Sequence, residues 1–184
     1  MEPEWPTVTI ERRALAALRF YLEAVPGEVS GLGLVAERGG GPHIAEVFIL
    51  RQESGWSETE LHPGSLAQFV AGFERRGGDP SQLRCWWHSH GDLEVSWSET
   101  DEATILAFPG EGLVSLVGNR RGDLLCRLDR WRPGRETHRE VPLLAAGEPP
   151  TSFALLALRA AVRAEVAALV RPGAVAFIQD IAIP

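Results

Sequence analysis

The segment His88-Ser89-His90-Gly91-Asp92-Leu93-Glu94-Val95-Ser96-Trp97-Ser98-Glu99-Thr100-Asp101 sets two histidines and a carboxylate at a spacing suited to metal chemistry. Side chains two apart on an extended strand point to one face, so His88 and His90 can present their imidazoles together. Ser98 and Asp101 are three apart, which makes them neighbours on one face of a helix. Two neutral imidazoles and one carboxylate suit a tetrahedral zinc whose fourth position stays open to water, with ligand distances of about 2.0–2.2 Å. Zinc held this way lowers the pKa of its water to about 7 and so supplies a hydroxide nucleophile at neutral pH. A Ser-x-x-Asp pair at a helix start is equally a capping box, which needs no metal. Ser96 and Glu99 form a competing box, and if that one caps the helix then Ser98 and Asp101 stay free for chemistry.

Those residues need a strand that ends at His88 and a helix that begins near Ser98. The pattern predicts both: a short buried strand over 83–88 and a helix over 99–107, closed by Pro109-Gly110. Upstream, residues 9–24 read as an amphipathic helix with Ile10, Leu15, Leu18, Leu22 and Val25 on roughly one face, stopped by Pro26-Gly27. Strands over 29–36 and 43–51 flank the turn Gly39-Gly40-Gly41-Pro42 and read as a hairpin. Residues 54–60 read as a loop, and 63–76 as a helix with Leu66, Phe69, Val70 and Phe73 inward. Strands are expected over 112–118, 123–131 and 137–143, a loop over 145–150 and a last helix over 152–170. No repeat or linker interrupts the chain, so residues 1–184 are expected to form one domain. Helices alternating with hairpin strands predict an α/β (α+β) sandwich around one mixed β-sheet.

Composition narrows the functional classes. With 184 residues the chain can bury a sizeable core without disulfides. A net charge of −7 disfavours a broad basic surface, so no nucleic-acid partner is expected. The apolar run over 153–170 is broken by Arg159, Arg163 and Glu165, and does not read as a membrane span. The acidic start (Glu2, Glu4, Glu11) lacks a signal core, and a cytoplasmic location is the expectation. All 18 basic residues are arginine. A GC-rich genome accounts for this, as Ala, Gly and Pro are also abundant; a lysine-free surface would also offer no amine to a modifier.

At this point the chain resembles the JAMM/MPN+ (Mov34/Prok-JAB-like) zinc metalloproteases, whose signature is an upstream Glu followed by H-[ST]-H-x7-S-x-x-D. Every signature position is present, and the apolar Cys85-Trp86-Trp87 precedes the histidines as in that family. The resemblance covers about 8–131 and leaves 132–184 as an unmatched C-terminal strand and helix. Gly91 and Trp97 stand where the family often has proline. The resemblance implies an MPN/JAMM fold with cytidine-deaminase-like layering, one Zn2+ per chain on His88, His90 and Asp101, and Glu28 as the base. It implies that Ser98 hydrogen-bonds the developing oxyanion. From position alone Glu28 reads equally as an exposed residue after Pro26-Gly27, with Glu37 and Glu46 as other carboxylates to consider. The implied reaction is hydrolysis of a peptide or isopeptide bond after the C-terminus of a ubiquitin-like or sulfur-carrier protein. Such a tail could add beside a sheet edge near the site. Asp92, Glu94 and Trp97 form a candidate substrate rim, in which Asp92 and Glu94, with Glu99 and Glu102, could attract basic residues or simply be solvated charges.

Other features carry less. Gly31-Leu32-Gly33-Leu34-Val35-Ala36 formally fits a dinucleotide fingerprint but follows a helix and lies in a strand, the wrong order. His43, His62 and His138 read as surface histidines. Cys85 and Cys126 read as buried apolar residues, and a disulfide is conceivable only if their strands are neighbours. The stripe of Leu155, Leu158, Val162, Val166 and Leu169 is core or a homodimer contact. Two alternatives to an isopeptidase remain: a scaffold of the same fold without metal, and a RadC-like DNA-linked protein, which the acidity and Ser89 between the histidines disfavour.

Overall fold

The computed structural model describes residues 6–55, 59–61 and 64–173. Its first strand, β1 (Val8–Glu11), takes residues that the helical pattern had claimed. Val8, Thr9 and Ile10 are β-branched and favour extended backbone. Val8 and Ile10 are wholly buried because β1 lies between two parallel neighbours, β3 (Gly41–Ile49) and β10 (Leu143–Ala146). Helix α1 (Arg12–Ala24) follows directly and buries Leu18 and Leu22, as its amphipathic spacing requires.

The main sheet has the order β10-β1-β3-β2-β6-β7-β8-β9. Its further members are β2 (Ser30–Arg38), β6 (Cys85–Ser89), β7 (Gly112–Gly118), β8 (Leu124–Arg130) and β9 (Glu136–His138). Strands β2 and β3 are the expected hairpin, and β6 runs antiparallel to β2 but parallel to β7. The sheet is therefore mixed, in an α+β arrangement with four α-helices among the described residues: α1, α2 (Ser65–Arg75), α3 (Glu99–Ala107) and α4 (Ser152–Leu169). Other expectations also fail. Residues 145–150 were expected as loop, but Ala145 and Ala146 lie in β10, paired to the edge of the sheet through β1. Within 54–60, expected as loop, lie the end of β4 (Gln52–Ser54) and part of β5 (Thr59–Leu61), which with β11 (Val170–Pro172) form a separate three-stranded sheet. Leu66 on α2 is 46% exposed, not inward. All three depend on long-range pairing or docking that local periodicity does not encode.

The core gathers Cys85, Trp87, Val114, Leu116, Cys126 and Leu128 from one sheet face against Leu18, Tyr21 and Leu22 of α1 and Leu158 and Val162 of α4. The α4 stripe is thus core, at least at Leu158 and Val162. Trp87 anchors this layer: its ring stacks on Tyr21 at 5.5 Å, and its Nε1–H donates to the carbonyls of Leu32 and Phe48. Glycine at 31 is required by this ring, because a Cβ there would come within 2.5 Å of it and 1.9 Å of the Phe48 carbonyl. The glycines of the false dinucleotide fingerprint therefore serve sheet packing. Cys85 and Cys126 lie on β6 and β8, separated by β7, about two strand spacings apart and beyond disulfide reach. Burial pushes the Cys126 thiol up to about 12, which keeps it protonated and inert.

Candidate metal centre

Strand β6 delivers its ligands by simple alternation. Trp87 and Ser89 point into the protein, while His88 emerges on the opposite face with His90 one step beyond the strand end. Helix α3 covers this second face: Ile105 is fully buried, and Glu102 reaches the buried Arg127 of β8 at 2.6 Å. That packing sets the first turn of α3, with Asp101, against the two imidazoles.

The three donor groups converge. His88 Nε2 lies 3.3 Å from His90 Nε2 and 3.1 Å from Asp101 Oδ1, and His90 Nε2 lies 3.9 Å from Asp101 Oδ2. Two ligands of a tetrahedral zinc at about 2.0–2.1 Å sit about 3.3 Å apart, so the donor spacing fits. Among the described residues these are the three that group as a possible metal site. Protonation states suit the same role. Burial lowers the pKa of His88, against the opposing pull of Asp101, so its ring tends to the neutral, ligating form. Burial would raise Asp101, but its bonds to His88 and Ser98 outweigh this and hold the carboxyl at about 2. His90 Nδ1 lies 2.9 Å from the Glu94 carbonyl, which can only accept, so Nδ1 carries a proton and Nε2 is the nitrogen that faces the cluster. The His88 ring stacks on Trp86 at 4.3 Å, and Trp97 stands 6.0 Å away on another side.

The capping expectation is corrected here. Ser98, not Ser96, is the N-cap of α3: its Oγ accepts from the Asp101 N–H, and Asp101 Oδ2 accepts from the Ser98 N–H. Cap and metal site coexist because a carboxylate has two oxygens. Oδ2 serves the box and Oδ1 faces His88. The Ser98 hydroxyl likewise spends one lone pair on the cap and keeps its O–H to donate.

Glu28 is half-buried and its N–H donates to the Gly55 carbonyl at 2.8 Å. Ser30 opposes His88 at the end of the β2–β6 ladder, and Glu28 lies two residues before β2, in the segment that leads into this end of the sheet. Ser89 ties the two segments together. Its Oγ accepts from the Val29 N–H and donates to the Gly27 carbonyl, and its N–H donates to the Val29 carbonyl. Gln52, also buried, clasps both the N–H and the C=O of Ser30. Neither role has a sequence signature. Glu37, by contrast, pairs with Arg84 toward the far end of β6, and Glu46 lies on β3, beyond β2.

The suggested rim divides. Asp92 is exposed but paired with Arg120 at 3.2 Å, and Glu102 is engaged by Arg127 and Arg139, so these two are not open acidic charges. Glu94 and Glu99 are exposed. Trp97 is half-buried, its Nε1–H held by the Arg139 carbonyl and its ring 5.7 Å from the Arg127 guanidinium. Arg127 itself is 1% exposed and pairs with Asp129 through Nε and Nη2, a clamp between α3 and the sheet that sequence reading did not find. The main sheet has no free edge beside the histidines, because β6 lies between β2 and β7. His43 is not a surface histidine either: it is 4% exposed and contacts Thr9 and Glu11. His138 is half-buried against Glu136, and His62 lies outside the described residues.

The loop after His90 depends on Gly91, whose φ is +55° and where a Cβ would come within 2.9 Å of the Pro26 carbonyl. Left-handed backbone costs a non-glycine residue about 1–2 kcal/mol. Gly91→Ala should therefore lower stability by at least that amount in denaturant melts, and a curve overlaying the parent's would show that the loop relaxes freely.

Neither a family model nor a curated protein matches this chain by sequence. The fold is similar to the solution structure of protein DSY2949 from Desulfitobacterium hafniense, with a TM-score of 0.50. The likeness is one of fold. At 20% identity over 77% of this chain and 96% of that one, it carries no chemistry across. No helix among the described residues is long and apolar enough to cross a membrane.

Proposed function

We propose that this chain is a zinc-dependent peptidase of the JAMM/MPN+ type, acting on a peptide or isopeptide bond after the C-terminus of a ubiquitin-like or sulfur-carrier protein. The observation that carries the reading is the convergence of His88 Nε2, His90 Nε2 and the Asp101 carboxylate at tetrahedral ligand spacing. Zinc bound there would supply an acidified water and a Lewis acid for the scissile carbonyl. Glu28, in the segment that Ser89 ties to the end of β6, takes a proton from the attacking water and delivers it to the leaving amine. Ser98 donates its remaining O–H to the developing oxyanion. The likeness to the family's signature supports this assignment, with one local difference: the φ of Gly91 excludes the proline that the family often has there. A substrate tail would lie beside Trp97, whose ring stands 6.0 Å from His88 and whose Nε1–H is held by the Arg139 carbonyl.

The direct test is hydrolysis of a ubiquitin-like protein bearing a C-terminal fluorogenic amide, before and after chelation and with zinc restored. Metal-free protein that never cleaves, and that elemental analysis shows to bind no zinc, would leave a scaffold as the better reading. Ser98→Ala refines the roles. It should keep zinc, lose about 1 kcal/mol of helix capping, and slow turnover by about 10²–10³-fold. A rise in KM with kcat unaltered would instead assign Ser98 to capping and binding alone.

A further inference from the structure

Asn119, in the turn between β7 and β8, is 1% exposed, and its amide uses every hydrogen-bonding position it has. Oδ1 accepts from the N–H groups of Arg121 and Asp123, which closes the turn. Nδ2 donates to the Asp123 carboxylate at 2.8 Å and to the Leu93 carbonyl at 2.9 Å. The opposite amide orientation would set an oxygen against a carbonyl and a carboxylate, so the assignment is determined by its partners. The Leu93 bond leaves the turn and reaches the loop that carries His90. The same turn grips that loop twice more through backbone: the His90 N–H donates to Gly118, and the Arg120 N–H donates to Gly91. Leu93 is joined to Glu94, whose carbonyl holds His90 Nδ1. Leu93 itself is 59% exposed and Glu94 is also exposed, so apolar packing does little to immobilise this stretch of loop.

We infer that Asn119 is a positioning residue: by anchoring the Leu93 carbonyl it holds the adjacent Glu94 carbonyl on His90 Nδ1, which keeps His90 in the Nδ1–H tautomer with Nε2 aimed at the metal. The inference rests on the metal reading above for its consequence, but the tautomer it concerns belongs to the metal-free protein. Loss of the direct hydrogen-bond partner of a ligating histidine typically weakens metal affinity 10–100-fold, and Asn119 holds the loop that supplies that partner.

Asn119→Asp separates the two jobs of the side chain. It keeps an oxygen for the turn N–H groups and replaces the donor to Leu93 by a repelling oxygen. Paired with Asp123→Asn, which restores the net charge, it is compared with Asp123→Asn alone. The expected results are a 10–100-fold weaker zinc Kd in chelator competition and, in 15N spectra of the neutral metal-free protein, a shift of His90 from the Nδ1–H tautomer to a mixture. Equal affinity and an unchanged tautomer in the double variant would overturn the inference and leave Asn119 a turn residue. If the double variant does not fold, the parent spectrum decides: His90 populating both tautomers in metal-free parent protein would also overturn it. Failure of the parent to bind zinc would strike the metal reading alone, because the tautomer remains measurable.

Discussion

Asp101→Asn should yield a folded protein that no longer retains zinc. Asparagine keeps the shape of the side chain and an oxygen that can accept from the Ser98 N–H, so the cap of α3 survives in the form that Asp101 Oδ2 now provides. What is lost is the anionic oxygen facing His88 Nε2 at 3.1 Å. Removing one of three protein ligands, and the one that carries charge, should weaken zinc binding by more than the 10–100-fold typical of a supporting residue. Elemental analysis after dialysis against a weak chelator reads the result, with the parent expected at one zinc per chain. A variant that still holds one equivalent would place the metal elsewhere. Because the cap is preserved, the metal-free variant should keep its helix content and melt below the metal-free parent only by the loss of the Asp101–His88 contact, which separates loss of ligand from loss of helix.

Glu28→Gln should do the converse, keeping zinc while losing most turnover. Glutamine preserves size and hydrogen-bonding reach but cannot take a proton, and a general acid–base group contributes about 10²–10⁴-fold. The loss should appear in kcat with KM little changed, since the group acts on the reacting atoms. Near-normal cleavage would remove Glu28 from the chemistry. The fold would then offer no easy replacement, as Glu37 and Glu46 lie toward the far end of β2 and on β3.

Much of the site was legible because its parts are local. The period-two spacing of His88 and His90 and the three-residue spacing of Ser98 and Asp101 place each pair on one face whatever the surroundings. The cap was misassigned for an equally local reason. Ser96 and Ser98 both start an acceptable box, and it is in the folded chain, with Ile105 buried and Glu102 bound to Arg127, that Ser98 is the cap. Glu28 was the hardest residue to place. Sixty positions separate it from the motif, and it is brought to the end of β6 by the start of β2 and by Ser89 bridging to its neighbours Gly27 and Val29.

By itself, then, the sequence determined the elements with strong periodicity: α1 from Arg12 onward, the β2–β3 hairpin, α3, α4 and the paired histidines at the end of β6. These follow from backbone geometry and from turn residues that act within a few positions. Tertiary structure alone decided the capture of Val8–Glu11 as a strand, the joining of β10 to β1, the separation of Cys85 from Cys126 by β7, and the burial of Arg127 and Asn119. Each of these turns on which strand lies next to which. Strand order is a property of the whole sheet, because a backbone edge pairs with any suitable edge and side-chain burial on both faces makes the choice.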